Sequence, residues 1–399
     1  MREYIVLRDM QPARTNEPFG GTRGRILESM VPAPPEPRLE VAQMDKNDVR
    51  DVARDPEVAA IAPSMPTRLI APFGTSADEA AAAGKGDSWG VAAVGADTST
   101  FTGAGVKVSI LDTGIDAGHA AFKGVTITQQ DFSGSGDGDK QGHGSHCAGT
   151  VFGRDVSKAR IGIARGVTEV LIGKVLGDDG GGGSDMLFRG IQWAVQNGAN
   201  VISMSLGFDF PGMVKSLVGQ NWPADLATSR ALEAYRANLR MFDALMGMVR
   251  ASEGFGPGTV VVAAAGNESE RQQDPDYEIA VSLPAAAEGV VSVGAVGQGG
   301  TAGKLVIAPF SNTFPQVSAP GVAIKSVKVG GGLRELNGTS MACPHVAGVT
   351  ALWWEAVRAS PVPATAKTVL AKLLASATTD SFADGVDVAD RGVGLVRAP

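Results

Sequence analysis

Several features that would identify other classes of protein are missing from this sequence. Its 399 residues include only two cysteines, Cys147 and Cys343, which is too few for a disulfide-rich scaffold. No run of 18 uninterrupted apolar residues occurs, so a membrane-spanning helix is not expected. Lysine and arginine are scattered along a chain with a net charge of −7, which argues against a nucleic-acid partner. The class that remains is a globular protein without a membrane or nucleic-acid partner.

A signal peptide is also missing from the first residues. MREYIVLRDM lacks the long apolar core and the small-residue cleavage site of such a peptide. The compartment is therefore left open between the cytoplasm and export by a signal that this sequence does not carry.

The sequence does contain an alternation of strand and helix patterns from about residue 106. The strand patterns are VKVSILDTG (106–114), VLIGKVLG (170–177), NVISMSLG (200–207), TVVVAAAGN (259–267) and VVSVGAV (290–296). A helix pattern, SDMLFRGIQWAVQNG (184–198), opens with a serine cap and closes on glycine. This alternation predicts an α/β fold with a mainly parallel sheet and helices on both faces. Ligand sites in such sheets form at the carboxyl ends of the strands, where Asp112, Gly207 and Asn267 lie.

The first 80 residues have a different character. REYIVLRD (2–9) is typical of a strand, and DKNDVRDVARDPEVAAIAP (45–63) of a helix followed by a strand. Pro-rich VPAPPEPRLEV (31–41) is expected to connect them. APFGTSADEAAAAGKGDS (71–88) has the composition of a linker. The pattern predicts a small separate unit with a boundary near residue 80.

Ser340 lies where a polar glycine turn becomes an apolar helix pattern, in ELNGTSMACPHVAGVTALWW (335–354). Taken alone, a serine at a helix start is most often an N-cap. A nucleophile would suit the same place, because free N–H groups and the positive end of the helix dipole favour the oxyanion that forms beside it. Both interpretations are open at this point.

A nucleophilic serine needs a base, and the chain has four histidines. His143 lies between glycines in KQGHGSHCAGT, so its ring can approach a second segment closely. His146 and His345 fit structural roles better, and His119 lies in a loop. Asp112, the first polar residue after VKVSIL, is the candidate for orienting the base, although an acid at a strand end is as often a simple cap.

Four segments in a fixed order carry a family resemblance: ILDTGID, GHGSHCAGT, AAAGN and GTSMACPHVAG. Together they resemble the subtilisin-like serine protease family over roughly residues 84–397. By that resemblance Asp112 orients, His143 is the general base and then the acid, and Ser340 is the nucleophile. Asn267 matches the oxyanion-hole asparagine, acting with the backbone N–H of Ser340, where an isolated asparagine would suit a turn. The implied fold has three layers, and the chemistry needs no cofactor.

The resemblance extends to the substrate-binding segments SMSLG and GDDGGGGS, whose backbones would hold an extended polypeptide as an added strand. The residues involved are Ser205, Leu206 and Gly207 on one side and Gly180, Gly181 and Gly182 on the other. A glycine run would equally suit a flexible loop.

The primary specificity pocket is expected between two further segments of the chain. Its walls would be Ala264, Ala265 and Gly266, with Ser282, Leu283 and Pro284 across from them. Small walls indicate a roomy pocket for a large apolar or medium polar side chain. Glu268 and Glu278 are near enough in sequence to shift the preference toward a basic residue.

The segment between Gly207 and Asn267 is about twice as long as in common bacterial members of the family. We expect a helical insertion at about residues 208–256, with a long amphipathic helix from Pro223. It would be either a surface helix packed on the domain or a lid beside the specificity pocket.

Calcium and a disulfide are the two other features that the resemblance raises. The chain lacks the Asn-rich loop of the family's tight calcium site, so structural calcium is left open and no metal ligand is assigned. DFSGSGDGDKQ (131–141) has acids at loop spacing and would be a cation loop or, more simply, a solvated one. Cys147 and Cys343 are expected as buried thiols in preference to a disulfide.

The N-terminal piece resembles the family's inhibitory prodomain, a small α+β, ferredoxin-like unit that assists folding and blocks the cleft with its C-terminal strand. Residues 1–80 would be prodomain plus linker, residues 84–399 the catalytic domain, and the processing site would lie between about 70 and 86. The expected protein is a monomeric zymogen endopeptidase with its own prodomain as partner. The alternatives are a maturation protease dedicated to one precursor, and an inactive binding protein with a shut cleft.

Overall fold

The computed structural model of the chain describes residues 1–9, 37–72, 86–299 and 303–399. Most of the predicted linker and of the interval expected to contain the processing site therefore lies outside the described residues.

The N-terminal unit is an antiparallel sheet with one described helix. Its strands β1 (Arg2–Asp9), β2 (Pro37–Met44) and β3 (Val58–Pro63) lie in the order β2-β1-β3, and α1 (Lys46–Val52) joins β2 to β3. The predicted first strand and the helix–strand pair are confirmed. The predicted connector is wrong from Pro37 onward, because these residues pair with β1. The ferredoxin-like pattern stays a prediction, since residues 10–36 are not described.

The main part of the chain is built on an eight-stranded sheet. Its strands are β5 (Lys107–Asp112), β6 (Thr126–Asp131), β7 (Glu169–Lys174), β9 (Val201–Met204), β11 (Val260–Ala264), β12 (Val290–Gln298), β13 (Leu305–Ile307) and β14 (Val317–Pro320). They lie in the order β13-β12-β11-β9-β5-β7-β6, and β14 also pairs with β12. All pairings are parallel except β12 with β13. The five predicted strands are confirmed with slightly different bounds.

Helices cover both faces of this sheet. Along β11, Val260, Val262 and Ala264 enter one buried apolar cluster, while Val261 and Ala263 enter the other, as the two-residue period of a strand requires. The first cluster contains residues of α2 (Trp89–Ala93), α3 (His143–Phe152), α7 (Thr339–Arg358) and α8 (Ala366–Ala375), and the second residues of α4 (Ser184–Gln196) and α6 (Ala224–Ala251). The predicted three-layer α/β fold is therefore confirmed.

The remaining elements in the described part of the chain are short or peripheral. They are β4 (Pro66–Leu69), β8 (Gly181–Gly183), β10 (Leu206–Phe208), α5 (Phe210–Gly219), β15 (Ile324–Val327), β16 (Leu333–Leu336), α9 (Val388–Arg391) and two 3-10 helices, Ala120–Phe122 and Ser252–Gly254. The predicted serine cap of α4 is wrong, because the Ser184 hydroxyl accepts the backbone N–H of Met65 instead. Among the described residues, no helix combines the length and the apolar composition needed to cross a membrane.

The insertion contains two helices, of which the sequence analysis expected only α6. The missed helix, α5, begins at an Asp-Phe-Pro sequence, where the Asp209 carboxylate accepts the N–H of Gly212 as an N-cap. Helix α6 lies against the N-terminal unit, since Asn238 Nδ2 donates to Pro63 O at 2.9 Å. It also reaches the predicted specificity pocket, where the Tyr235 hydroxyl accepts the N–H of Leu283 at 3.1 Å.

Candidate active site

The predicted catalytic residues meet at one edge of the sheet. Asp112 ends β5, His143 begins α3, and Ser340 is the second residue of α7. His143 Nδ1 lies 2.8 Å from Asp112 Oδ1 and 3.0 Å from Oδ2. All three side chains are buried. A carboxylate that accepts the Nδ1 proton leaves Nε2 of the imidazole free to act as a base.

The carboxylate and the imidazole are held together by tight packing of α3 against the end of β5. A Cβ atom on Gly144 would lie 2.2 Å from the carbonyl oxygen of Gly114, so only glycine permits this approach. The buried Asp139 carboxylate accepts the hydroxyls of Thr113 at 3.0 Å and Ser145 at 2.7 Å. These contacts join the two elements on which the catalytic pair lies.

Ser340 faces a carbonyl group of the chain's own N-terminal part. Its hydroxyl donates to Ile70 O at 3.1 Å and lies 3.4 Å from Ser205 O. Among the described residues, His143 Nε2 has no hydrogen-bond partner. The N-cap interpretation of Ser340 is wrong, because Gly338 occupies that position. The hydroxyl therefore points at a peptide group instead of capping its helix.

Asn267 presents its amide nitrogen to the same segment. Its Oδ1 accepts the N–H of Thr339 at 2.9 Å and the Thr339 hydroxyl at 2.8 Å, which leaves Nδ2 to donate to Ala71 O at 3.0 Å. Thr339 is a positioning residue that was not predicted from the sequence, although it precedes Ser340 in the GTS segment. The arrangement supplies an N–H donor beside the serine, as stabilisation of an oxyanion requires.

The segments predicted to hold a substrate enclose an extended strand of the chain itself. Strand β4 is the middle strand of an antiparallel sheet in the order β10-β4-β8. The paired residues are Leu69 with Leu206, Arg68 with Gly207 and Gly181, and Thr67 with Gly182, and Leu69 N also donates to Gly180 O at 2.8 Å. We call residues 66–71 the tail segment and the groove that it fills the cleft.

Ile70 is buried beside the segments that were predicted to form the specificity pocket. Its side chain is only 4% exposed, and a Cβ atom on Gly207 would lie 3.5 Å from its Cγ1. Ile70 shares its buried cluster with Ala264. Across the pocket, Ser282 N donates to Ala265 O at 3.1 Å. The structure therefore brings the two predicted walls together around an apolar side chain.

Asn312 joins the pocket wall to the loop that carries Asn267. Its Nδ2 donates to Ala265 O at 3.2 Å and to Glu268 Oε2 at 2.8 Å, and its Oδ1 accepts the N–H of Glu268. A Cβ atom on Gly266, whose φ is +113°, would lie 2.3 Å from Asn312 Nδ2. Sequence reasoning missed Asn312, for which the only local signal is a polar residue in an otherwise buried segment.

The two acids expected to favour a basic residue in the pocket have other partners. Glu268 accepts from Asn312, and Glu278 pairs with Arg271 at 2.9 Å. Neither of these two contacts involves the side chain of Ile70. This geometry fits the expected preference for an apolar side chain in the pocket and not the expected shift toward a basic one.

The other three histidines make structural contacts. His146 Nε2 lies 3.0 Å from Ile324 O, and burial lowers its pKa well below the usual range. His345 Nδ1 lies 2.8 Å from Met341 O, and burial lowers its pKa to about 4. His119 Nδ1 accepts the N–H of Ala121. At neutral pH, His146 and His345 are therefore uncharged.

Both cysteines are free and buried, as expected. Cys147 Sγ lies 3.4 Å from Ser340 O, and Cys343 Sγ lies 3.5 Å from the Ser203 hydroxyl. Burial raises the pKa of Cys147 well above its usual range and that of Cys343 to about 11. The reactive thiolate form is thus rare in both at neutral pH.

We expect both thiols of the Ser340→Ala protein to react with a disulfide reagent at pH 8 at least about 100-fold more slowly than free cysteine, because burial disfavours the thiolate and blocks access. Unfolding in guanidinium should release two fast-reacting thiols. The measurement is the absorbance of the released thiolate over time. Fast labelling of the folded protein would contradict this assignment, and Cys147→Ser and Cys343→Ser would show which thiol is accessible.

Asp131 and Asp139 of the acidic loop at 131–141 use their carboxylates within the protein. Asp131 accepts the N–H groups of Ser133 at 2.8 Å and Gly136 at 2.7 Å. Within the described ranges, one group of three side chains has ligand atoms close enough for a metal ion: Asp112, His143 and Cys147, within 4.8 Å of one another. The imidazole Nδ1 already faces the carboxylate there, so this geometry suits proton transfer better than metal binding.

Comparison with known proteins gives consistent results. The model of the subtilase family matches residues 103–394. Subtilisin DY of Bacillus licheniformis is 35% identical over 254 residues, which cover 63% of this chain and 77% of that protein. Subtilisin-like protease 1 of Trichophyton rubrum is 31% identical over 325 residues, or 77% of this chain and 53% of that protein. The chain thus spans about half the length of the fungal relative.

Proposed function

The chain belongs to the subtilase family of serine endopeptidases, and we propose that it is a zymogen whose first substrate is its own tail segment. The observation that carries this proposal is the position of the Ile70 carbonyl oxygen, 3.1 Å from the Ser340 hydroxyl, with the next carbonyl oxygen, that of Ala71, 3.0 Å from Asn267 Nδ2. The tail segment pairs with both walls of the cleft as a substrate strand would.

In the proposed reaction, Ser340 Oγ attacks the carbonyl carbon of the scissile peptide and His143 Nε2 takes the hydroxyl proton. Asn267 Nδ2, which donates to Ala71 O in the uncleaved chain, turns to the Ile70 oxygen, and together with the backbone N–H of Ser340 it stabilises the resulting oxyanion. Collapse breaks the C–N bond as His143 returns the proton to the leaving amine. Water, deprotonated by the same imidazole, then releases the acyl group and restores Ser340. Asp112 holds the imidazole in the required tautomer and stabilises its charged form.

We assign the bond between Ile70 and Ala71 as the processing site. The register of the tail segment supports this choice. Arg68 pairs with Gly207, and the Leu69 N–H donates to Gly180 O. Ile70 is the next residue along the strand, and its side chain would therefore enter the pocket. In the uncleaved chain the Ser340 hydroxyl donates to the carbonyl oxygen and not to His143, so rotation of the hydroxyl toward the imidazole must precede attack. After cleavage, Ile70 would stay in the pocket as a product that blocks the cleft.

The pocket further supports a preference for branched apolar residues before the scissile bond. Ile70 fills it among apolar neighbours and is 4% exposed. A charged side chain at this position would lose its hydration without gaining a partner.

The processing bond can be tested at Ile70. Wild type should yield a mature chain that begins at Ala71, measured by N-terminal sequencing and intact mass. Ile70→Asp should slow processing by at least about 100-fold, because a carboxylate would be buried without a partner. Ile70→Val, which keeps the branched apolar shape, is the matched control and should be processed within a few-fold of wild type. A mature chain that begins elsewhere, or normal processing of Ile70→Asp, would refute the assigned bond.

A further inference from the structure

One charged side chain of the tail segment lies between two carboxylates of the catalytic part. Arg68 is two residues before Ile70. Its Nη1 lies 3.5 Å from Asp209 Oδ1, and its Nη2 lies 3.9 Å from Glu268 Oε1. We call Asp209 and Glu268 the acidic pair. They come from two different segments of the chain, one directly after β10 and the other directly after Asn267.

The two carboxylates of the acidic pair are held in place by contacts that do not involve the tail segment, whereas the backbone N–H of Asp209 donates to Pro66 O of that segment at 2.9 Å. Asp209 caps α5 by accepting the N–H of Gly212 at 2.9 Å. Glu268 Oε2 accepts Nδ2 of Asn312 at 2.8 Å, which leaves Oε1 toward Arg68. Because these contacts are intrinsic to the catalytic part, both carboxylates should keep their positions when a different polypeptide occupies the cleft. Groups positioned in advance lose little entropy on binding.

Arg68 differs in this respect from Arg8 of the N-terminal unit. Arg8 pairs with Glu40 at 3.1 Å and with Asp55, so its charge is balanced within that unit. Arg68 has both of its ion pairs with the catalytic part. The ion pairs of Arg68 therefore join a substrate-like strand to the cleft.

We propose that the acidic pair selects a basic side chain two residues before the residue in the specificity pocket. This deepens the proposed function and rests on it. The favoured substrates would be polypeptides with isoleucine or valine directly before the scissile bond and arginine or lysine two residues earlier. Any compatible residue could lie between these two positions. Asp209 and Glu268 are 21% and 34% exposed, so the contacts are partly screened and the selectivity should be modest.

The test compares two peptides that differ only at this position. One carries arginine and the other citrulline, which has nearly the same shape without the charge, and both have isoleucine before the scissile bond. For the mature wild-type enzyme, freed of the cleaved residues 1–70 that would block the cleft, we expect kcat/KM to be about fivefold higher for arginine, the size expected of two partly exposed ion pairs. The ratio should fall toward about two in 1 M salt, where the Debye length is about 3 Å.

The variant for this test is the double substitution Asp209→Asn and Glu268→Gln. Asparagine still caps α5, and glutamine still offers an oxygen to Asn312, so the ratio should fall to about one without loss of these contacts. The control Asp155→Asn with Glu169→Gln removes the same charge; Glu169 lies at the opposite, amino-terminal end of β7, and the ratio should stay near five.

The outcomes separate this inference from the proposed function. If the mature wild-type enzyme hydrolyses neither peptide, both the proposed function and the role of the acidic pair are overturned. Equal hydrolysis of the two peptides by wild type, or an unchanged ratio in the double variant, overturns only the role of the acidic pair. If the double variant does not mature, the arginine-to-citrulline ratio of the wild type and its salt dependence still decide the question.

Discussion

Replacing Ser340 with alanine is expected to leave the chain at full length, whereas the wild type loses residues 1–70 within hours at neutral pH. The alanine variant has no oxygen to attack the Ile70 carbonyl, so no acyl-enzyme forms. The expected loss in rate is about 10⁶-fold, the magnitude known for loss of the nucleophile in subtilisin, itself a member of this family. Intact mass over time measures the effect, and a fluorophosphonate should add mass to the mature wild type alone.

The matched control is Ser360→Ala, because Ser360 lies just beyond the carboxyl end of α7, and its hydroxyl donates to Val357 O. It should be processed like the wild type. Normal processing of Ser340→Ala would place the nucleophile elsewhere. If wild type and variant both stay full length and neither is labelled, the inactive binding protein with a shut cleft becomes the better explanation.

Replacing Asp112 with asparagine is expected to slow processing by about 10⁴-fold, the size of effect that this substitution has in other Ser-His-Asp triads. Both carboxylate oxygens face His143 Nδ1, at 2.8 Å and 3.0 Å. An amide that turns its NH₂ toward this nitrogen favours the wrong tautomer, and it cannot stabilise the charged imidazole. Intact-mass kinetics at pH 7 measure the rate, and thermal unfolding shows that the variant is folded.

The control for this substitution is Asp116→Asn, in the loop after β5. The Asp116 carboxylate accepts the N–H of Gly330 and takes no part in the proposed chemistry. We expect its processing rate to stay within a few-fold of wild type. A rate for Asp112→Asn within tenfold of wild type would show that another group orients His143.

The catalytic residues could be proposed from the sequence because each lies within a short segment whose local chemistry is distinctive. Asp112 directly follows an apolar strand, His143 lies among glycines, and Ser340 follows a glycine turn at a helix start. A parallel sheet brings the carboxyl ends of its strands to one edge, so their convergence follows from the fold class. The strand and helix periods that define this fold are likewise local properties.

Other features depend on pairing between residues far apart in the chain. Pro37 to Val41 looked like a connector because proline disfavours regular structure, yet pairing with β1 makes them a strand. Asn312 is an ordinary buried polar residue until its amide is seen to join Ala265 and Glu268. Local composition carries no record of such partners.

The sequence by itself determined the three-layer fold, the family and the candidate catalytic residues, since these depend on short-range periodicity and compact motifs. Only the tertiary structure decided that Ile70 is buried and that Arg68 lies between Asp209 and Glu268. The reason is register: shifting β4 by one residue would turn a different set of side chains toward each wall of the cleft. That register is set by backbone hydrogen bonds to β8 and β10. Every residue type except proline can make these bonds, so the register cannot be deduced from the identity of the residues.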